Sequence, residues 1–188
     1  MKKLIFSMLA VSVTATALAD VVDPDSTGFK FTDVKLVKTT PVKDQNRSGT
    51  CWCFAGTSLL EDEILRKSGK EVDLSEMFTV RHCYSDKADR YIRMQGATNF
   101  AAGGSIIDVP YVFENYGIVP EEAYSGLQYG EEKHDHTELD GVLRSYVNSV
   151  KSTHGKKIST AWKKGYEGIL DAYFGELPET FVYEGVTY

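Results

Sequence analysis

Of the three cysteines in the chain, Cys51, Cys53 and Cys83, Cys51 has the neighbours that chemistry needs. It opens a segment that reads as a helix, directly after the polar loop Gln45-Asn46-Arg47-Ser48-Gly49-Thr50. A thiol attacks a carbonyl as its thiolate, and an anion at the first turn of a helix is favoured by the unpaired backbone N–H groups there. The attack builds charge on the carbonyl oxygen, which then needs hydrogen-bond donors. The side-chain amide of Gln45, six residues upstream, can supply one and the backbone N–H of Cys51 another. Further along, Gly103-Gly104 taken alone reads more simply as a turn.

Two other chemistries fit these residues less well. Cys51-Trp52-Cys53 lacks the two-residue spacer of dithiol–disulfide exchangers, and a bridge between adjacent helical turns would be strained. Cys53 reads instead as a small buried apolar group or a partner for Cys83. Glu132, His134, Asp135 and His136 gather in one charged stretch, but no third, distant ligand stands out. No metal site and no cofactor are expected.

The elements that must hold these groups are mostly helices. The first is expected over Cys51 to Ser68, apolar at its start (Trp52, Phe54, Ala55, Leu59, Leu60), with Asp62/Arg66 and Glu63/Lys67 at i,i+4 spacing near its end and Gly69 as its stop. A front half without charges implies that this end is buried, with Cys51 inside the protein. Ser75 reads as the N-cap of a second helix running to about Met94 and closed by Gly96. A third is expected from Ser105 to Tyr116, kinked or broken early by Pro110, and ended by Gly117 and Pro120. Thr137 is expected to cap a fourth, with Leu139, Val142, Leu143, Tyr146 and Val150 on one face. Ser159 is expected to cap a fifth that carries Trp162, Tyr166, Ile169, Leu170 and Tyr173 and ends at Gly175 and Pro178. Phe181 to Tyr183 and Val186 to Tyr188 read as a hairpin about Glu184-Gly185. Upstream, Asp20 to Asp44 reads as extended chain around Pro41.

Composition sets the compartment and excludes some partners. Lys2 and Lys3, an apolar run from Leu4 to Ala17, and Ala17-Leu18-Ala19 before Asp20 read as a secretory signal peptide over residues 1–19. The mature protein, residues 20–188, is then expected to be one exported domain, periplasmic or extracellular, with no membrane span after cleavage. In an oxidising compartment three cysteines leave at least one thiol unpaired within the chain. The chain is 42% hydrophobic and 26% charged, which is ordinary for a soluble globular protein. Cleavage lowers the formal charge of −6 by two, and no basic stripe remains to contact phosphates, so nucleic acid is not an expected partner.

The run Gln45 to Ala55, with Gln45, Gly49, Cys51, Trp52 and Phe54 in order, resembles the nucleophile signature of the papain-like cysteine peptidases. Gly103-Gly104 followed by Tyr116-Gly117-Ile118 is similar to that family's cleft-lining glycines and the turn after them. From Thr40 to Tyr188 the chain most resembles the bleomycin hydrolase and aminopeptidase C branch and its secreted bacterial relatives. Leu74 to Met77, Asp86 to Tyr91 and Glu176 to Tyr183 follow that branch's order. Ser48 and Ala101 stand where secreted papains have disulfide partners. The resemblance implies an α+β papain-like fold, here its mainly helical N-terminal part without the β-rich half. It implies Cys51 as nucleophile, Gln45 in the oxyanion hole, and Gly103, Gly104 and Trp52 in substrate binding. Peptide or protein substrates are implied, aminopeptidase-type action is favoured, and homo-oligomeric assembly is left open. The family's base is a histidine opening a buried strand, followed by a small residue and an apolar run. None of His82, His134, His136 and His154 is so followed, and each reads as a surface histidine. The base and its asparagine are therefore expected beyond Tyr188, with the 188-residue chain close to inactive alone. A module that keeps the cleft but has lost the chemistry is the alternative.

Overall fold

The structure, a computed structural model, describes residues 28, 31–152 and 157–188. The proposed signal peptide and His154 lie outside these residues. The chain divides into two units, residues 1–37 and 38–188, and the second holds every element named below.

Five helices and one hairpin follow in order: α1 Cys51–Ser68, α2 Glu76–Arg93, α3 Asp108–Tyr116, a 3-10 turn Glu121–Ala123, α4 Thr137–Lys151, α5 Ala161–Phe174, then β1 Val182–Tyr183 and β2 Val186–Thr187. The organising element is α2, which packs against α1, α3, α4 and α5. A helix surrounded in this way is buried on several faces at once, so Met77, Phe78, Val80, Cys83, Tyr84, Ala88 and Ile92 enter the core together with the polar Glu76, Thr79 and Arg81. Arg81 is tolerated there because its guanidinium is paired by Glu167 and Asp171 of α5.

Local signals fix several of these boundaries. The side chain of Ser75 accepts from Phe78 N at 3.0 Å and donates to the Tyr124 carbonyl, so one hydroxyl starts α2 and ties it to the segment after α3. The same segment forms a β-bridge between Leu74 and Pro120. Residues 182–187 form the expected antiparallel hairpin, Val182 facing Thr187, with Glu184 and Gly185 in left-handed backbone.

Three boundaries differ from expectation. The segment 105–107 is a turn, and α3 begins only at Asp108, whose carboxylate accepts from Ser105 N. Pro110 then sits in the first turn, where a missing N–H costs nothing, so it neither kinks nor breaks the helix. Thr137 is the first residue of α4 rather than its cap, because Asp135 Oδ1 takes its N–H at 3.0 Å. α5 begins at Ala161 with Thr160, not Ser159, in the cap position and no capping side chain.

Candidate active site

The chain approaches Cys51 along a strap bound to α1. Thr40 N donates to Asp62 Oδ1 at 2.8 Å, and Lys43 Nζ reaches Glu61 Oε1 at 2.8 Å, Glu76 Oε1 at 2.9 Å and Asp73 Oδ1 at 2.6 Å. Glu61 is 1% exposed and also accepts from Leu74 N. Burial would depress the Lys43 ammonium, but Asp73, Glu61 and Glu76 together hold it above its ordinary value. One ammonium shared among three carboxylates cannot neutralise all of them. Burial therefore wins at Glu76, raised to about 7, and at Glu121, raised to about 8 by burial and the neighbouring Glu76 and Asp73.

The loop 45–50 is pinned from the other side. Arg47 N donates to His134 O at 3.0 Å, His136 N to Arg47 O at 3.3 Å and Asn46 Nδ2 to His134 O at 3.1 Å. Within the loop, Ser48 and Thr50 hydroxyls share a 2.6 Å hydrogen bond. Gln45 is half-buried, and its Oε1 has no partner among the described residues. Thr50 does not cap α1, and no acidic residue occupies its first turn. The N–H groups of Cys51 and Trp52 consequently have no acceptor among the described residues.

Cys51 is exposed, which corrects the expectation that it lies inside. Burial on a helix follows angular position, and the stripe that enters the core is Trp52, Cys53, Gly56, Thr57, Glu61 and Leu65. Cys51, Ala55 and Leu59 fall on the opposite face, all exposed. The lack of charge there marked an apolar face open to solvent.

The indole Nε1 of Trp52 donates to Ala102 O at 3.0 Å, which brings the loop 101–104 beside the head of α1. Gly104 lies on the indole so closely that a Cβ would sit 2.6 Å from Trp52 Cε2. Gly103, by contrast, has nothing within 4 Å of where its Cβ would be. The two glycines thus differ in role: one is required by packing, the other faces open space. Gly103 N–H and both backbone polar groups of Gly104 have no protein partner among the described residues.

Cys53 and Cys83 are free and buried, with no bridge between them. Cys53 Sγ is 3.3 Å from the Glu76 carbonyl, and burial pushes its thiol far up. Burial likewise pushes Cys83 to about 12. Neither is a thiolate at neutral pH.

The histidines are not the surface groups expected. His136 is 1% exposed, with its ring edge-on to Phe174, Tyr84 and His134. Burial lowers it to about 4. The Ser48 backbone pulls weakly the other way, but neither ring nitrogen makes a well-formed hydrogen bond among the described residues. His134 is half-buried against Phe54 and also lowered by burial. His82 stacks on Tyr116 at 4.1 Å between ring centroids and meets Phe78 edge-on, and burial lowers it to about 4. Among the described residues none of these rings hydrogen-bonds to Cys51, and no three His, Cys, Asp or Glu side chains gather as metal ligands. No helix among them is long and apolar enough to cross a membrane.

A family model described as papain family cysteine protease matches residues 28–172. The chain belongs to the papain family of cysteine proteases. Among curated papain-family relatives, human cathepsin L2 is 40% identical over 85 residues, covering 45% of this chain and 23% of that protein. A cathepsin L-like peptidase of Aedes aegypti is 38% identical over 87 residues, covering 45% of this chain and 22% of that protein. A cathepsin L-like protein of Caenorhabditis elegans is 34% identical over 103 residues, covering 54% and 26%. The chain thus spans about a quarter of the length of the curated relatives it matches. Among solved structures, PepW from Lactobacillus rhamnosis HN001 superposes with a TM-score of 0.58 at 21% identity, covering 77% of this chain and 38% of that one, a likeness of fold. The α+β papain-like fold class is therefore as expected, represented here by a mainly helical array and one small two-stranded sheet. The sequence reading missed Lys87, whose ammonium contacts two carbonyls of the 101–104 loop. A lysine on a helix carries no sequence signal that separates this role from an ordinary solvated one.

Proposed function

We propose that this chain carries the nucleophile and one wall of the substrate cleft of a cysteine peptidase, with Cys51 as nucleophile. One observation carries the reading: Cys51 is exposed at the head of α1, whose first amides lack acceptors, while the adjacent Trp52 holds the Ala102–Gly104 loop. The Cys51 thiolate attacks the scissile carbonyl carbon and forms a C–S bond. The oxyanion is met by the Gln45 side-chain amide and the Cys51 N–H. Collapse breaks the C–N bond, the amine leaves with a proton taken from solvent, and water then attacks the thioester, releasing the acid and regenerating the thiol. The unpaired N–H of Gly103 and backbone groups of Gly104 support pairing with an extended peptide or protein substrate.

Aminopeptidase-type action and the bleomycin hydrolase branch are part of this proposal. Ser48 and Ala101 support the branch, and aminopeptidase-type action follows from that resemblance alone. Ser48 is buried and bonded to Thr50, and Ala101 is half-buried, so neither position offers the thiol of a papain-type disulfide. Residues 1–19 support export. The 188-residue chain by itself should turn over slowly, because burial weakens His82 and His136 as bases and no described histidine hydrogen-bonds to Cys51. Loss of the base can cost about a million-fold in a hydrolytic triad.

The test compares fluorogenic aminoacyl reporters that have a free amino group with N-acylated peptide reporters. Weak turnover that prefers the free amine and vanishes in Cys51→Ala is expected. Turnover that survives Cys51→Ala refutes the nucleophile, and robust hydrolysis by the chain alone refutes the expected slow turnover.

A further inference from the structure

Lys87 stands on α2 beneath the glycine loop. Its Nζ donates to Gly103 O at 2.7 Å and approaches Ala101 O at 3.3 Å, and it lies 5.4 Å from the centre of the Trp52 ring and 5.6 Å from that of Tyr84. The carbonyl between those two, Ala102 O, accepts from Trp52 Nε1. Three successive carbonyls are thereby held by two side chains. The loop in turn packs Gly104 on the indole and Ala102 against Gly49, where a Cβ would meet Ala102 Cβ at 3.0 Å. Gly49 has a φ of 68° in the turn that leads into Cys51, so both its backbone and its close approach to Ala102 favour glycine there.

The surroundings of Lys87 set it apart from the other lysines of the core. Lys43 pairs with three carboxylates and Lys163 with Asp89 and Glu167. Lys87 is half-buried, yet among the described residues no carboxylate comes within ion-pair distance, and its hydrogen bonds go to the loop alone. An ammonium withdrawn from water without a direct ion pair is costly, and here two carbonyls, two aromatic faces and the more distant Asp108 and Asp140 offset that cost.

We propose that Lys87 is a positioning residue for peptide substrate. It fixes residues 101–104 on Trp52 before a peptide arrives, leaving the Gly103 N–H and the Gly104 backbone free and correctly aimed. The proposal rests on the peptidase reading above. A preformed edge spares a binding peptide the cost of ordering it, so the effect belongs to peptide capture rather than to thiol reactivity.

The test uses two probes of Cys51 on the 188-residue chain, a peptidyl epoxysuccinate and iodoacetamide, read by mass spectrometry of the modified peptide. For Lys87→Met the half-saturating epoxysuccinate concentration should rise about tenfold, as expected for a lost charged hydrogen bond. The iodoacetamide rate should stay within about twofold. An unchanged half-saturation, or equal losses with both probes, overturns the proposal. Hydrogen exchange of the Trp52 indole Nε1–H, which Ala102 O accepts, gives a second readout that needs no substrate: it should quicken about tenfold in Lys87→Met, and unchanged exchange overturns the proposal. A wild-type chain that shows no saturation, or is labelled away from Cys51, refutes the peptidase reading, and the exchange measurement still decides whether Lys87 holds the loop.

Discussion

Gly103 and Gly104 are adjacent and chemically identical, yet adding one methyl group to each should have opposite consequences. At Gly104 a Cβ would lie 2.6 Å from Trp52 Cε2, 2.8 Å from Cδ2 and 2.9 Å from Nε1. That indole is 7% exposed, packed in the core and hydrogen-bonded to Ala102 O, so it has no free direction in which to yield. Overpacking of this kind costs about 1–3 kcal/mol, and losing the indole hydrogen bond adds about 1 kcal/mol. Gly104→Ala should then destabilise by about 2–4 kcal/mol, lowering Tm by roughly 5–12 °C for a domain of this size. At Gly103 the added methyl meets nothing within 4 Å, and the backbone needs no left-handed φ. Its stability should stay within about 0.5 kcal/mol of wild type, while the methyl obstructs an extended peptide and weakens peptidyl epoxysuccinate labelling. Thermal unfolding followed by near-UV circular dichroism reads the first effect, and labelling kinetics the second. Equal Tm losses for the two variants, or a larger loss for Gly103→Ala, refutes the assignment of packing to one glycine and access to the other.

Three further perturbations follow from the same packing. Ser75→Ala removes both the α2 cap and the bond to the Tyr124 carbonyl, and should cost about 1–2 kcal/mol, read as a lower urea midpoint at unchanged m. His136 is lowered to about 4, so its neutral form favours the folded state. Its stability is fully present above pH 6.5 and is lost as pH falls from there toward 4. His136→Phe, which keeps an aromatic ring against Phe174 and Tyr84, should flatten that acid limb, and a limb as steep as wild type tells against it. Glu121 has the opposite sign: raised to about 8, it stabilises the fold below pH 4.5 and loses this as pH rises toward 8. In Glu121→Gln the decline in denaturant midpoint between those pH values should be shallower, and an unchanged slope would count against the buried acid.

The parts of this fold legible in the sequence are those specified locally. α1 runs over the expected Cys51–Ser68 because an uncharged start, a charged end and Gly69 are neighbours along the chain, although Arg66 pairs with Glu63 rather than with the expected Asp62. Ser75 declares its own helix through a hydroxyl that reaches only three residues ahead. The Gln45–Cys51 loop and the glycine pair were found by residue type and spacing, and the Trp52 to Ala102 bond places the glycine loop beside the head of α1. Properties set by distant partners were not legible. The burial of His136 depends on Phe174 and Tyr84, and its charged neighbours along the chain argued for solvent. The exposure of Cys51 depends on which face of α1 meets α2, and the apolar front half carried little angular signal. The start of α4 differs because Thr137 N donates to Asp135 Oδ1 in a segment bridged to Arg47, which leaves His136 rather than Thr137 in the cap position.

The reactivity of Cys51 is tested most directly by labelling the native chain with a peptidyl epoxysuccinate and mapping the modified thiol. Modification should fall on Cys51, with saturation kinetics, while Cys53 and Cys83 react only after unfolding, as their burial requires. Modification of Cys53 or Cys83 in preference to Cys51 in the folded protein would contradict the assignment.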